Sequence, residues 1–358
     1  MKKSLLIILI GLFVLLMSAC SSGEMAKEGD GGKSNDASPV ATESVVQPEN
    51  TATPEPTTTP EPTATPSPTV SPTPTQVVAS VSLSIPTKYT MPAVKGGKIE
   101  KISYMAHDYL GDGPEVEKFA YVYLPPDYDE SKQYNVLYLC HGIGGTENEW
   151  GLNSDKGSKV KRIMDNLIEN GDIEPFIVVT PNGKAFALSN TTGNDVFYKF
   201  GYELRNDLIP YIESHYSMYA EYDENGYDLT ATRTHRAMAG LSMGGMQTIN
   251  IGMCECLDIF SWFGAFSAAP TSYNSSKVKG IVEKSEYTVD FFYNICGKDD
   301  SIAYASASAA AKNLPIISDI FVEDENFMWQ EKGGGHDFNI WYLGFYNFAQ
   351  IAFRGYTK

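Results

Sequence analysis

From residue 77 onward, short uninterrupted apolar runs alternate with stretches whose apolar residues recur three and four positions apart. Residues 119–124 form one such run, closed by Pro125-Pro126, and 135–140 form a second that leads into His141-Gly142-Ile143-Gly144-Gly145. The first predicts an early antiparallel strand and the second a buried strand. Residues 159–170 carry Val160, Ile163, Met164, Leu167 and Ile168 on one helical face, and Gly171 ends the pattern. A strand over 176–180 is followed by one long amphipathic helix over 198–216, which Pro210 should kink. Further strands are expected over 236–241, 262–267, 291–296 and 327–330, with helices after 244, over 303–312 and over 340–353. Strands alternating with helices in this way predict an α/β fold: a central, mainly parallel sheet flanked by helices.

The first 76 residues break this rhythm. Lys2-Lys3 and an apolar stretch over 5–17 end in Met17-Ser18-Ala19-Cys20, a charged and then apolar leader too short to favour a membrane span. Small residues before Cys20 suit lipoprotein processing, although Met17 stands where leucine is usual. The expectation is a signal peptide over 1–20 with lipidation of Cys20 and a protein exported to the cell surface, either membrane-anchored or secreted. Residues 21–76 are dominated by Thr, Pro, Ser and Glu and bury too little to fold, so they read as a disordered spacer. The folded part is then a single domain over 77–358, long enough for a substantial core.

Charge narrows the partners. The chain carries a formal net charge of −17, which argues against nucleic acid and anionic polymers and is compatible with neutral carbohydrate. Besides Cys20 there are Cys140, Cys254, Cys256 and Cys296, with no second C-x-x-C or His cluster to complete a zinc site. Neither a structural metal nor an obligatory disulfide is expected.

The chemistry concentrates on Gly240-Leu241-Ser242-Met243-Gly244, between a predicted strand and a predicted helix. Glycines on both sides of the serine permit a sharp strand-to-helix turn that lifts the hydroxyl out of the sheet, the nucleophile elbow. A serine alcohol needs a base, and the base a carboxylate to orient it. Of the five histidines, His336 alone follows the elbow, in the loop Gly333-Gly334-Gly335-His336-Asp337. The acid belongs between them: Asp299 and Asp300 both follow a strand, spacing does not separate them, and Asp337 is the weaker candidate beside the histidine. Donors for the oxyanion are expected from the backbone N–H of Met243 and of Ile143 in the glycine loop.

With these pieces assembled, the chain resembles the feruloyl esterase domains attached to clostridial xylanases, in the esterase family that includes S-formylglutathione hydrolase and the enterochelin esterases. The resemblance rests on residues 138–145, 239–245, 296–301 and 333–338. It implies an α/β-hydrolase fold, Ser242 as nucleophile, His336 as base and Asp300 rather than Asp299 as acid. It also implies cofactor-free hydrolysis of hydroxycinnamoyl esters on feruloylated arabinoxylan or its oligosaccharides. Ala239 departs from the histidine usual before the elbow glycine, a change expected to alter packing only. Acetylxylan esterase, siderophore esterase and acyltransferase are alternatives on the same fold, and an inactive carbohydrate-binding protein is the alternative of another class. Trp150, Trp262 and Trp341 could stack an acyl ring, but each is more readily explained as core or general surface and none is counted in the site.

Overall fold

The computed structural model describes residues 81–154, 156–185, 193–223 and 225–354. The leader expected over 1–20, the lipidation expected at Cys20 and the spacer expected over 21–76 therefore lie outside the described residues.

The first half of the chain supplies β1 (Lys98–Ala106), β2 (Val116–Leu124), β3 (Val136–Cys140), α1 (Lys159–Glu169) and β4 (Ile177–Pro181). Then come α2 (Asp195–Tyr198), α3 (Phe200–Glu203), α4 (Ile209–His215) and a two-residue hairpin of β5 (Tyr222–Asp223) and β6 (Gly226–Tyr227). The second half contributes β7 (Arg236–Leu241), α5 (Met243–Gln247), β8 (Trp262–Phe266), α6 (Ser275–Val282), β9 (Phe291–Gly297), α7 (Tyr304–Ile317), β10 (Phe327–Lys332) and α8 (Phe338–Ile351). Eight of these strands form one sheet in the order β1-β2-β4-β3-β7-β8-β9-β10. β2 pairs antiparallel with both β1 and β4, and the other pairs are parallel.

Alternation along β3 shows why both faces are covered. Val136, Tyr138 and Cys140 join one buried cluster while Leu137 and Leu139 join the other. α1 and α8 pack on the second face, and α4, α6 and α7 contribute Ile212, Val278 and Leu314 to the first. A strand buried on both sides is mostly apolar, which is why β3, β4, β7 and β8 read as near-continuous runs, with Thr180 and the Glu213-paired Arg236 as buried exceptions. α1 begins where the Ser158 hydroxyl accepts the Lys161 amide at 3.1 Å, a cap worth about 1 kcal/mol. It ends where Gly171 takes a positive φ of 72° and the Asp172 amide reaches back to the Leu167 carbonyl.

Two expectations change. The long helix over 198–216 is instead α2, α3, a π-type turn over Leu204–Leu208 and α4. Pro210 has no N–H to donate and its ring crowds the carbonyl one turn earlier, so the disruption falls in the turn preceding it. β1 was not anticipated: Lys98, Glu100 and Lys101 place charges along an edge strand that is largely solvent-facing, which masks the apolar signal. The resulting architecture is the α/β-hydrolase fold, with the loops after β3, β7, β9 and β10 gathered at the carboxyl end of the parallel strands.

Candidate active site

β7 delivers Ser242 in a conformation few residues adopt. Its φ of 51° and ψ of −113° lie outside the usual basins and cost on the order of 1–3 kcal/mol, which the surroundings must hold in place. Three backbone hydrogen bonds do so: Ser242 N–H donates to the Phe266 carbonyl at 2.9 Å, and its own carbonyl accepts the Met246 and Ala269 amides. The flanking glycines are there because the elbow lies against β3. A Cβ on Gly240 would stand 2.8 Å from the Cys140 oxygen, and one on Gly244 only 2.5 Å from it. Backbone cannot give way as a side chain can. Gly244→Ala should therefore destabilise the fold by about 2–3 kcal/mol or more, measurable as a lowered urea midpoint; an unchanged midpoint would show that the elbow is loosely held.

The loop after β10 carries His336 across to the serine. Its Nε2 lies 3.0 Å from Ser242 Oγ, and its Nδ1 lies 2.7 Å from Asp300 Oδ2. Asp300, from the loop after β9, is buried, and its Oδ1 accepts the amides of Ile302 and Ala303 at 3.0 and 2.9 Å. Burial pushes its carboxyl upward, but the Ala303 amide, His336 and the Ile302 amide together outweigh that push and hold it below the ordinary aspartate value. The Cys296 thiol also approaches Asp300 Oδ2, at 3.6 Å.

The neighbouring acids do something else. Asp299 is exposed, its amide donates to the Gly334 carbonyl, and its carboxylate accepts the Gly334 amide at 3.0 Å. It clamps the histidine loop to the end of β9 without touching the imidazole. Asp337 caps α8 by accepting the Asn339 amide at 2.7 Å. Of the three acids open to sequence reasoning, the structure brings only Asp300 to the ring of His336.

The glycine loop runs past Ser242. A Cβ on Gly142 would lie 3.2 Å from Ser242 Cβ. Gly142 N–H is committed to Glu149 at 3.3 Å and Gly145 N–H to the Gly142 carbonyl. Ile143 sits between them with its side chain largely exposed. Met243, buried directly after Ser242, opens α5. The other histidines stand elsewhere: His141 is buried with its ring nitrogens at the Gly142 and Asn182 carbonyls, and His107 pairs with Asp207 at 2.7 Å.

The three tryptophans considered for stacking, of four in the chain, separate cleanly. Trp150 is fully buried and donates to the Cys140 carbonyl. Trp262 is buried at the opposite end of β8 and donates to Thr234. Trp341 packs edge-on to His336, with ring centres 5.1 Å apart, so it is the one at the site. Sequence reasoning did not single out its contact with His336, which depends on how α8 follows the loop. Cys140, Cys254, Cys256 and Cys296 are unbridged, and no group of three or more His, Cys, Asp and Glu residues fit to hold a metal occurs among the described residues.

The chain is similar to known proteins. Residues 115–341, more than half of the chain, match the family described as putative esterase. Endo-1,4-beta-xylanase Y of Acetivibrio thermocellus is 34% identical over 239 residues, 64% of this chain and 20% of that protein. An endo-1,4-beta-xylanase/feruloyl esterase of Xylanibacter ruminicola is 29% identical over 66% of this chain and 29% of its own length. The chain thus spans less than a third of either relative. Among solved structures, a serine-to-alanine mutant of the feruloyl esterase module from Clostridium thermocellum, complexed with sinapinate, superposes with a TM-score of 0.66. It is 28% identical, and the match covers 79% of this chain and 98% of that one. A ferulic acid esterase from Anaeromyces mucronatus gives a TM-score of 0.63 at 25% identity, covering 78% and 100%.

Proposed function

The chain belongs to the putative esterase family, and from that premise we propose that it is a serine esterase that hydrolyses hydroxycinnamoyl, chiefly feruloyl, esters on plant xylan side chains. The observation that carries the chemistry is the unbroken line from Ser242 Oγ to His336 Nε2, at 3.0 Å, and from His336 Nδ1 to Asp300 Oδ2, at 2.7 Å. Both lengths are within hydrogen-bond reach for proton transfer.

In this reading Ser242 Oγ attacks the ester carbonyl as its proton passes to His336 Nε2. The His336 Nδ1–H donates to Asp300, whose ionised carboxylate fixes the tautomer and stabilises the imidazolium. Backbone N–H groups of Met243 and Ile143 receive the charge that develops on the carbonyl oxygen. Collapse breaks the bond to the sugar oxygen, which leaves with the proton from His336, and the acyl group stays on Ser242. Water then attacks the acyl-serine, gives its proton to His336, and the carboxylic acid departs as Ser242 regains its own.

The acyl group is supported by the solved relatives, one holding sinapinate and another ferulic acid. The test is a panel of methyl ferulate, methyl sinapinate and acetylated xylo-oligosaccharides together with feruloylated arabinoxylan fragments. Turnover of the hydroxycinnamates should dominate; turnover confined to acetyl esters would overturn the substrate while leaving the mechanism standing.

The leader sequence supports export, with Cys20 lipidated and the Thr/Pro-rich spacer over 21–76 holding the esterase away from the membrane. Mass spectrometry of the mature protein should find a diacylglyceryl-modified Cys20 at the N-terminus. A mature chain that starts beyond it, or retains residues 1–19, would remove the anchor.

A further inference from the structure

At the end of the sheet remote from Ser242, a cleft of about 1190 Å³ is lined by residues that precede three neighbouring parallel strands: Asn135 before β3, Glu174 and Pro175 before β4, and His235 before β7. The strands fix its distance from the active site. Asn135 and Gly142, which touches the nucleophile, are joined by β3, and a strand rises about 3.3 Å per residue, so the two sites stand roughly 20 Å apart.

The lining excludes most ligand classes. Asp127, Glu169 and Glu174 face the cleft, and Lys95 is already paired with Asp127 at 2.8 Å, so an anion meets carboxylates before it meets a free cation. An apolar ligand would have to desolvate these charges with no partner to offer them. No three-ligand metal cluster occurs there or elsewhere among the described residues. What the cleft does offer is both hydrogen-bonding senses beside aromatic surface. Gln133 and Asn135 contribute planar amides, the carboxylates only accept, and Lys132 only donates. Tyr219 supplies a half-buried ring, while Tyr134 borders the cleft from the core. Tyr219 is held in place: its ring stacks on His235 at 3.6 Å and 11°, and His235 Nδ1 lies 2.7 Å from Asn135 Oδ1.

Hydroxyl groups donate and accept at once, and sugar rings present flat apolar patches between them. The geometry points to a second binding site for a neutral oligosaccharide, separate from the catalytic centre. It rests on the reading of the substrate as a polysaccharide: a chain too long for the active site alone is retained by a cleft on the same domain, which raises its effective concentration at Ser242.

The test uses the full chain carrying Ser242→Ala and unesterified xylohexaose, titrated by calorimetry. Binding is expected, and Tyr219→Ala should weaken it at least tenfold. Because Tyr219 packs on His235, the exposed pair Gln133→Ala/Glu174→Ala serves as a second variant and should weaken binding severalfold. With Ser242 restored, both variants should turn over methyl ferulate as the parent does and feruloylated arabinoxylan polymer several times more slowly. Absence of binding, or binding and polymer turnover indifferent to both variants, overturns the second site. The outcome is separable from the assignment of activity: a protein that hydrolyses methyl ferulate but ignores xylohexaose loses only the cleft, and one that binds xylohexaose through Tyr219 but hydrolyses no ferulate loses only the esterase reading.

Discussion

Ser242→Ala should reduce ester turnover by roughly 10⁴–10⁶-fold, the scale seen when a serine nucleophile is removed from a triad. The loss is chemical, because the fold does not depend on the hydroxyl. The bonds that hold the elbow, to Phe266, Met246 and Ala269, are all made by the main chain of residue 242, and alanine meets the same steric cost at a φ of 51° that serine does. Circular dichroism melts of the variant should therefore overlay the parent within a few degrees while methyl ferulate hydrolysis and fluorophosphonate labelling both vanish. A variant that keeps a tenth of the parent's turnover would place the nucleophile elsewhere.

The second large effect separates two adjacent aspartates. Asp300→Asn keeps the shape but offers His336 Nδ1 an amide, which favours the wrong tautomer, and kcat should fall by about 10³–10⁴-fold. Asp299→Ala removes only the clamp on Gly334, so its kcat should stay within about tenfold of the parent. Reversal of that order in kcat would make Asp299 the acid and refute the assignment. Stability supplies an independent readout. The Asp300 carboxyl is held below its ordinary value in the fold, so it contributes stability that is present above the unfolded-state value and lost as pH falls through the folded one. The melting temperatures of the parent and Asp300→Asn should differ most near neutral pH and converge as the solution is made strongly acidic. A gap that widens in acid would mean the carboxyl is raised, not lowered.

The elements that carry this chemistry were legible to different degrees. β3, β4, β7, β8 and β9 could be read because two-sided burial makes them mostly apolar, with Thr180, Arg236 and Asn294 the buried polar exceptions. β1 could not, because an edge strand carries its charges outward and looks like a loop. The broken helix before α4 was half legible: Pro210 announced a disruption but not that it would be met by a wider turn ahead of it. The cleft behind β3 had no sequence signature at all, since Gln133, Glu174 and Tyr219 come from three separate connections.

Local chemistry alone determined that a serine would be presented on a tight strand-to-helix turn, since only glycine fits where the backbone of β7 meets that of β3. The order serine, acid, histidine pointed to His336 through resemblance, and the structure brings its ring to 3.0 Å from Ser242 Oγ. Tertiary structure decided the rest. Asp299 and Asp300 are chemically identical and adjacent, and only the packing of β9 against the Gly334 loop turns one out to solvent and the other in to His336. Trp341 became part of the site for the same reason: its distance from the base is set by how α8 docks, a long-range contact that no run of neighbouring residues encodes.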